Sequence, residues 1–168
     1  MQSPLKQILI STYKTDMISF MDTHPEYFDE AIKLAISDEQ PFAWRAAWLL
    51  WSCMKGNDKR IKEYVKEIIK VIKTKDDNHQ RELLKILLMM ELNDKDESFL
   101  FDYCITIWKE INKKPSVRFN AVKFLVKIAK KHPELSREIS CLMQDQYLES
   151  LSPGARKSVC KMVRGVVE

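Results

Sequence analysis

An all-α fold is predicted by this sequence: a solenoid of about four antiparallel helical hairpins preceded by an N-terminal capping helix. Three observations predict it. Apolar residues recur at helical spacing through nearly all of the 168 residues, and no alternating strand pattern competes. Only three glycines are present, Gly56, Gly154 and Gly165, too few for glycine-rich phosphate loops or tight β-hairpins. A self-similar register also returns at intervals of 36, 37 and 38 residues, the signature of stacked helical hairpins.

The elements follow in order. Residues 4–21 are expected to form the capping helix. Thr23 or His24 then caps the next helix, with Pro25 where its missing N–H costs nothing, and Phe28, Ala31, Ile32 and Ala35 share its buried face. "QPFAWRAAWLLWSCMK" is a third helix ended by Gly56. "NDKRIKEYVKEIIKVIK" is a fourth, with Ile61, Tyr64, Val65, Ile68, Ile69 and Ile72 as its apolar stripe. Further helices are expected at about 77–91, 97–112, 115–132, 133–147 and 153–167. Short connections make successive helices antiparallel. The whole is read as a single repeat domain over 1–168, with hairpins at about 23–55, 57–92, 94–132 and 133–167.

The register is carried by Arg45, Arg81, Arg118 and Arg156, each near the start of alternate helices. Three residues after them come Trp48, Leu84, Ala121 and Val159; six after come Trp51, Leu87, Phe124 and Met162. The tripeptide "HPE" opens the first helix of a pair at both His24 and His132. "PSVRFNAVKFL" resembles the second helix of a HEAT repeat, with Pro115, Val117, Arg118, Ala121 and Leu125 at the family's proline, valine, arginine, alanine and leucine positions. "QPFAWRAAWLL" and "SPGARKSVCKMV" match more loosely, and "NHQRELLKILL" lacks the proline. The resemblance covers about residues 23–167 and implies an ARM/HEAT-type superhelix. It further implies that the structural repeat arginines bond an acid in the neighbouring turn; Asp38 and Asp77 are candidates, while the third turn, "NKK", offers none.

No catalytic, cofactor-binding or metal-binding residue is expected. The chain has no Ser/His/Asp arrangement, HExxH, CxxC or glycine-rich phosphate loop. Cys53, Cys104, Cys141 and Cys160 read as buried free thiols, His24 and His132 as capping or turn residues, and His79 as solvated. Asp76 and Asp77 favour a helix N-terminus. Trp44, Trp48 and Trp51 share a helix face that repeat equivalence makes core, and Trp108 belongs to a packing stripe. With neither an opening signal sequence nor a bilayer-length apolar run, an intracellular, cytoplasmic location is expected.

Function is read from the opposite face of the second helices, which line the concave side of such a stack. In the last two hairpins this face carries Lys123, Lys127, Lys130, Lys157, Lys161 and Arg164, and no acid occurs from Lys113 to His132. In the first two it carries Leu50, Cys53, Met54, Met89 and Met90. A groove apolar at one end and basic at the other is expected, unless the charges are only a solvated face balanced by acids on the first helices and the N-terminal helix covers Leu50 and Met54. The leading expectation is a non-enzymatic module binding an acidic or amphipathic protein segment, with Leu50, Met54, Met89 and Met90 as apolar anchors. The alternative is nucleic acid held by the same cations, as in HEAT-like alkylpurine DNA glycosylases. A homodimer through Val163, Val166 and Val167 at the C-terminal end is a further expectation.

Overall fold

The computed structural model describes residues Met1–Glu168, and every regular element in it is helical. The chain divides into two compact units, Met1–Glu91 and Leu92–Glu168. The boundary falls between the second and third hairpins expected from the repeat. No helix is long and apolar enough to cross a membrane.

The first unit opens with α1 (Pro4–Ser11), capped by the Ser3 hydroxyl, which accepts from the Lys6 N–H at 3.2 Å. The expected capping helix over 4–21 is two helices, because α1 stops and α2 (Lys14–Thr23) restarts. The Ser11 and Thr12 hydroxyls turn back onto the carbonyls of Gln7 and Ile8, and Thr12 and Tyr13 adopt extended backbone. Neither Thr23 nor His24 caps the next helix through its side chain. Thr23 belongs to α2, and a 3₁₀ turn, Pro25–Tyr27, leads into α3 (Phe28–Ile36). Phe28, Ala31, Ile32 and Ala35 are buried as their spacing requires.

Helix α4 (Phe42–Cys53) packs against α1, α2, α3 and, later in the chain, α7 (Asp77–Leu88). It buries Ala43, Ala46, Ala47, Leu49 and Leu50, and its small residues let neighbouring backbones approach closely. Gly56 does not end this helix. Met54 is already extended, Gly56 has no positive φ, and Asn57 takes the left-handed conformation at φ 50°. The expected fourth helix is α5 (Lys59–Lys62), α6 (Val65–Val71) and a 3₁₀ turn, Ile72–Thr74. Ile61, Val65, Ile68, Ile69 and Ile72 nonetheless keep one buried stripe.

Asp58 organises the turn into α5. Its carboxylate accepts from the backbone N–H groups of Lys55 and Arg60, both at 3.1 Å, and pairs with the Arg60 guanidinium at 2.8 Å. The Arg60 side chain is the chief reason its pKa falls from 3.8 to about 2. A depressed carboxylate contributes stability above its unfolded value of 3.8 and loses it as pH falls toward 2. Arg60 is 44% exposed, so screening reduces the contribution to about 1 kcal/mol. Asp58→Asn is therefore expected to lower the unfolding free energy by about 1 kcal/mol at neutral pH. Urea titrations should show the two proteins converging near pH 2.

Asp76 caps α7 by accepting from the His79 N–H at 2.9 Å. His79 itself is not solvated, as its acidic neighbours suggested; it is fully buried. Its Nε2 meets the Ala35 carbonyl at 2.7 Å and its Nδ1 meets the Gln40 amide at 3.1 Å. With Nε2 donating and Nδ1 accepting, the ring is neutral, and burial lowers its pKa.

The second unit contains α8 (Asp94–Lys109), α9 (Pro115–Lys131), α10 (Ser136–Cys141), α11 (Asp145–Leu148) and α12 (Pro153–Val167). Asn93 and Ser152 cap α8 and α12, and Pro115 occupies the first turn of α9. Helix α9 packs against α8, α10 and α12 around Leu100, Cys104, Ile107, Trp108, Ala121, Phe124 and Val159. Of the four free cysteines only Cys104 is buried; Cys53 and Cys160 are half-buried and Cys141 is exposed. Cys141 lies at the C-terminus of the short α10, where periodicity no longer reports burial. Burial pushes the Cys53 thiol up to about 11 and raises that of Cys104 further.

Candidate partner-binding surfaces

In the second unit, α9 is enclosed on most sides and, between its first turn and Lys131, leaves a narrow outward strip: Phe119, Lys123, Lys127 and Lys130. These residues lie three and four apart, so they follow one face of the helix. Lys123 and Lys130 are exposed, Lys127 is half-buried, and the Lys123 ammonium rests 5.1 Å from the Phe119 ring centre. Helix α12 buries only Val159 and Val163 and exposes Lys157, Lys161 and Arg164. Neither helix contains an acidic residue.

Lys131, just beyond this strip, is used differently. It joins His132 on the carboxylate of Glu97, with contacts of 2.8 and 2.9 Å. Burial works to raise the Glu97 pKa, but the hydrogen bonds and charges of Lys131 and His132 prevail and lower it. The second "HPE" histidine is thus a partner for a buried acid rather than a side-chain cap.

In the first unit the expected apolar anchors are not on the surface. Leu50 is fully buried, Met54 and Met90 nearly so, and Met89 half-buried. Two physical reasons account for this. Helix α4 is contacted by four other helices, so the face assigned to solvent is also enclosed. Helices α4 and α7 end at Cys53 and Leu88, so Met54, Met89 and Met90 lie beyond the helical geometry that assigned them a face.

The tryptophans carry the converse correction. Trp44, Trp48 and Trp51 are half-buried, not core, because Ala43, Ala46, Ala47 and Leu50 supply the inward contacts. Each indole meets a cation: Arg45 lies 5.5 Å from the Trp44 ring, Lys14 lies 5.0 Å from Trp48, and Lys85 lies 4.4 Å from Trp51. Trp48 and Trp51 meet edge to face at 6.0 Å. Between α2 and α4, Thr12, Tyr13, Lys14, Met17, Trp44, Arg45 and Trp48 line a cavity of about 230 Å³. The run of small residues at 43, 46 and 47 was the available signal that packing is done by the alanines. Tyr13 and Lys14 carried no signal, since periodicity hides the helix break that presents them.

The repeat arginines do not form the expected acid ladder. Arg45 donates to the Leu9 carbonyl at 2.7 Å, and Arg81 pairs with the adjacent Glu82 at 2.7 Å. Arg118 bonds Trp108 O, Ser150 Oγ and Tyr147 O at 3.0, 2.9 and 2.6 Å. Arg156 reaches an acid of another element, Asp145, at 3.1 Å. Asp38, one expected partner, is instead taken by Lys75.

Helical hairpins in a repeating register, with Arg118 buried among them and charged or aromatic strips outside, define a helical-repeat protein. The model of the HEAT repeat domain matches residues 1–166, and the chain belongs to that family. No curated protein and no solved structure matches it.

Proposed function

We propose that this HEAT repeat protein is a non-enzymatic interaction module whose second unit binds an acidic protein segment. The observation that carries the reading is the pairing of two acid-free helices, α9 and α12, which pack against each other and expose lysine and arginine. Exposed ammonium groups such as those of Lys123 and Lys161 attract an anionic partner over roughly a Debye length, about 8–10 Å at ordinary salt. Their main effect is on encounter rate and specificity. The apolar anchors expected near Met54 and Met90 play no part, because those side chains are internal.

Fluorescence anisotropy of a labelled peptide of alternating glutamate and leucine tests the reading. The combined Lys123→Glu and Lys161→Glu variant is expected to weaken its binding about tenfold, since each reversal both removes an attraction and adds a repulsion. Both side chains are exposed, so the fold should be unaffected. A labelled duplex oligonucleotide is titrated alongside. Tighter binding to the duplex, falling steeply with salt, would replace the protein partner by nucleic acid. No binding to either would remove the surface.

A further inference from the structure

The tryptophan strip of the first unit is a second and separate surface. Three indoles of one helix are left half-buried here, each beside a cation. Tryptophan and arginine are also the residues most enriched at the energetic centres of protein interfaces, where an apolar body and a polar edge are used together.

The charges along the strip are unequally satisfied. At the Trp51 end, the buried Glu82 carboxylate accepts from the Trp51 indole and from Arg81, and Lys85 lies 3.9 Å away. That end has a carboxylate of its own among its cations. At the cavity end no carboxylate answers the cations. Lys14 is exposed and makes no ion pair, while Arg45 donates to the Leu9 carbonyl and has no carboxylate partner. Asp16 lies two residues beyond Lys14, a spacing that places it on another side of α2. Tyr13, 83% exposed, forms the outer wall of the cavity between Met17, Trp44 and Trp48.

We propose that this cavity docks a peptide segment that places an apolar side chain between Tyr13, Trp44 and Trp48 and an adjacent carboxylate against Lys14 and Arg45. The volume suits one branched or aromatic side chain, and the unanswered positive charge at its rim selects an acidic neighbour over a neutral one. The surface lies in the first unit and does not depend on the α9 and α12 lysines.

Random-peptide display against the full chain, followed by titration of the enriched peptide with tryptophan emission as readout, tests the proposal. Trp108 is fully buried in the other unit, so saturable changes report mainly Trp44, Trp48 and Trp51. Enriched sequences should carry an aspartate or glutamate beside a branched or aromatic residue. Their affinity should fall about tenfold in Tyr13→Ala and again in Lys14→Glu, and by a similar factor when the peptide acid becomes its amide. Both substituted side chains are exposed, so loss of folding does not confuse the result. Lys123→Glu with Lys161→Glu should leave this binding intact, which separates failure here from failure of the α9 and α12 surface. Absence of enrichment, or peptides that bind equally as amides or to Tyr13→Ala, would overturn the proposal. So would a thymidine oligonucleotide that shifts the emission more strongly than the peptide.

Discussion

Arg118→Ala is expected to destabilise the protein by about 3–5 kcal/mol, the largest effect of any single polar change in the second unit. Arg118 is fully buried, and burial lowers its pKa, yet it has no carboxylate partner. Its guanidinium lies 4.4 Å from the Trp108 ring and spends its donors on Trp108 O, Ser150 Oγ and Tyr147 O. It therefore ties the C-terminal end of α8 to α11 and the turn that follows it. Truncation leaves the buried Trp108 carbonyl and the part-buried Tyr147 carbonyl without that donor and opens a cavity beside an indole. Each unsatisfied group costs about 1–3 kcal/mol, and the lost packing adds to it. Lysine would keep the charge but cannot reach three acceptors with a planar fork, so Arg118→Lys should recover less than half the loss. Urea unfolding followed by far-ultraviolet circular dichroism checks both. A loss below about 1 kcal/mol for Arg118→Ala would show that water replaces the guanidinium without strain.

Charging the methionine and leucine positions that face-counting assigns to a partner should unfold the first unit rather than weaken binding selectively. Leu50 is fully buried and Met90 nearly so. Leu50→Asp removes a packed side chain, worth about 2–5 kcal/mol, and introduces a carboxylate that must be desolvated or protonated at a further cost of several kcal/mol. The sum approaches the whole stability of a typical domain, about 5–15 kcal/mol. Met90→Glu should act in the same direction. Near-ultraviolet circular dichroism should show loss of the fixed environment of Trp44, Trp48 and Trp51 at room temperature. A folded Leu50→Asp protein with a sharp near-ultraviolet spectrum would mean that α4 can turn this face to solvent.

The helical class, the repeat register and the family are legible in the amino-acid sequence because periodic features carry them, and periodicity survives local irregularity. Ile61, Val65, Ile68, Ile69 and Ile72 form one stripe even though their helix is broken into three pieces. The lysines of α9 and α12 are legible for a different reason: a charged residue opposite an apolar stripe has almost nowhere to go but water.

From the order of its residues, then, this chain is all-helical, repeats at HEAT spacing and turns a basic strip outward in its last two hairpins. Which apolar residues lie inside was settled by three-dimensional packing. A helix touched on one side and a helix touched on four obey the same periodicity, so Trp48 and Leu50 could not be sorted by phase alone. Packing and local hydrogen bonds also set the helix ends: Ser11 and Thr12 bend back on α1, and Met54 and Met90 fall beyond the last turn. Partners of buried polar groups depend on contacts far apart in the chain, which is why Arg118 found carbonyls, Asp38 found Lys75 and His79 found Ala35.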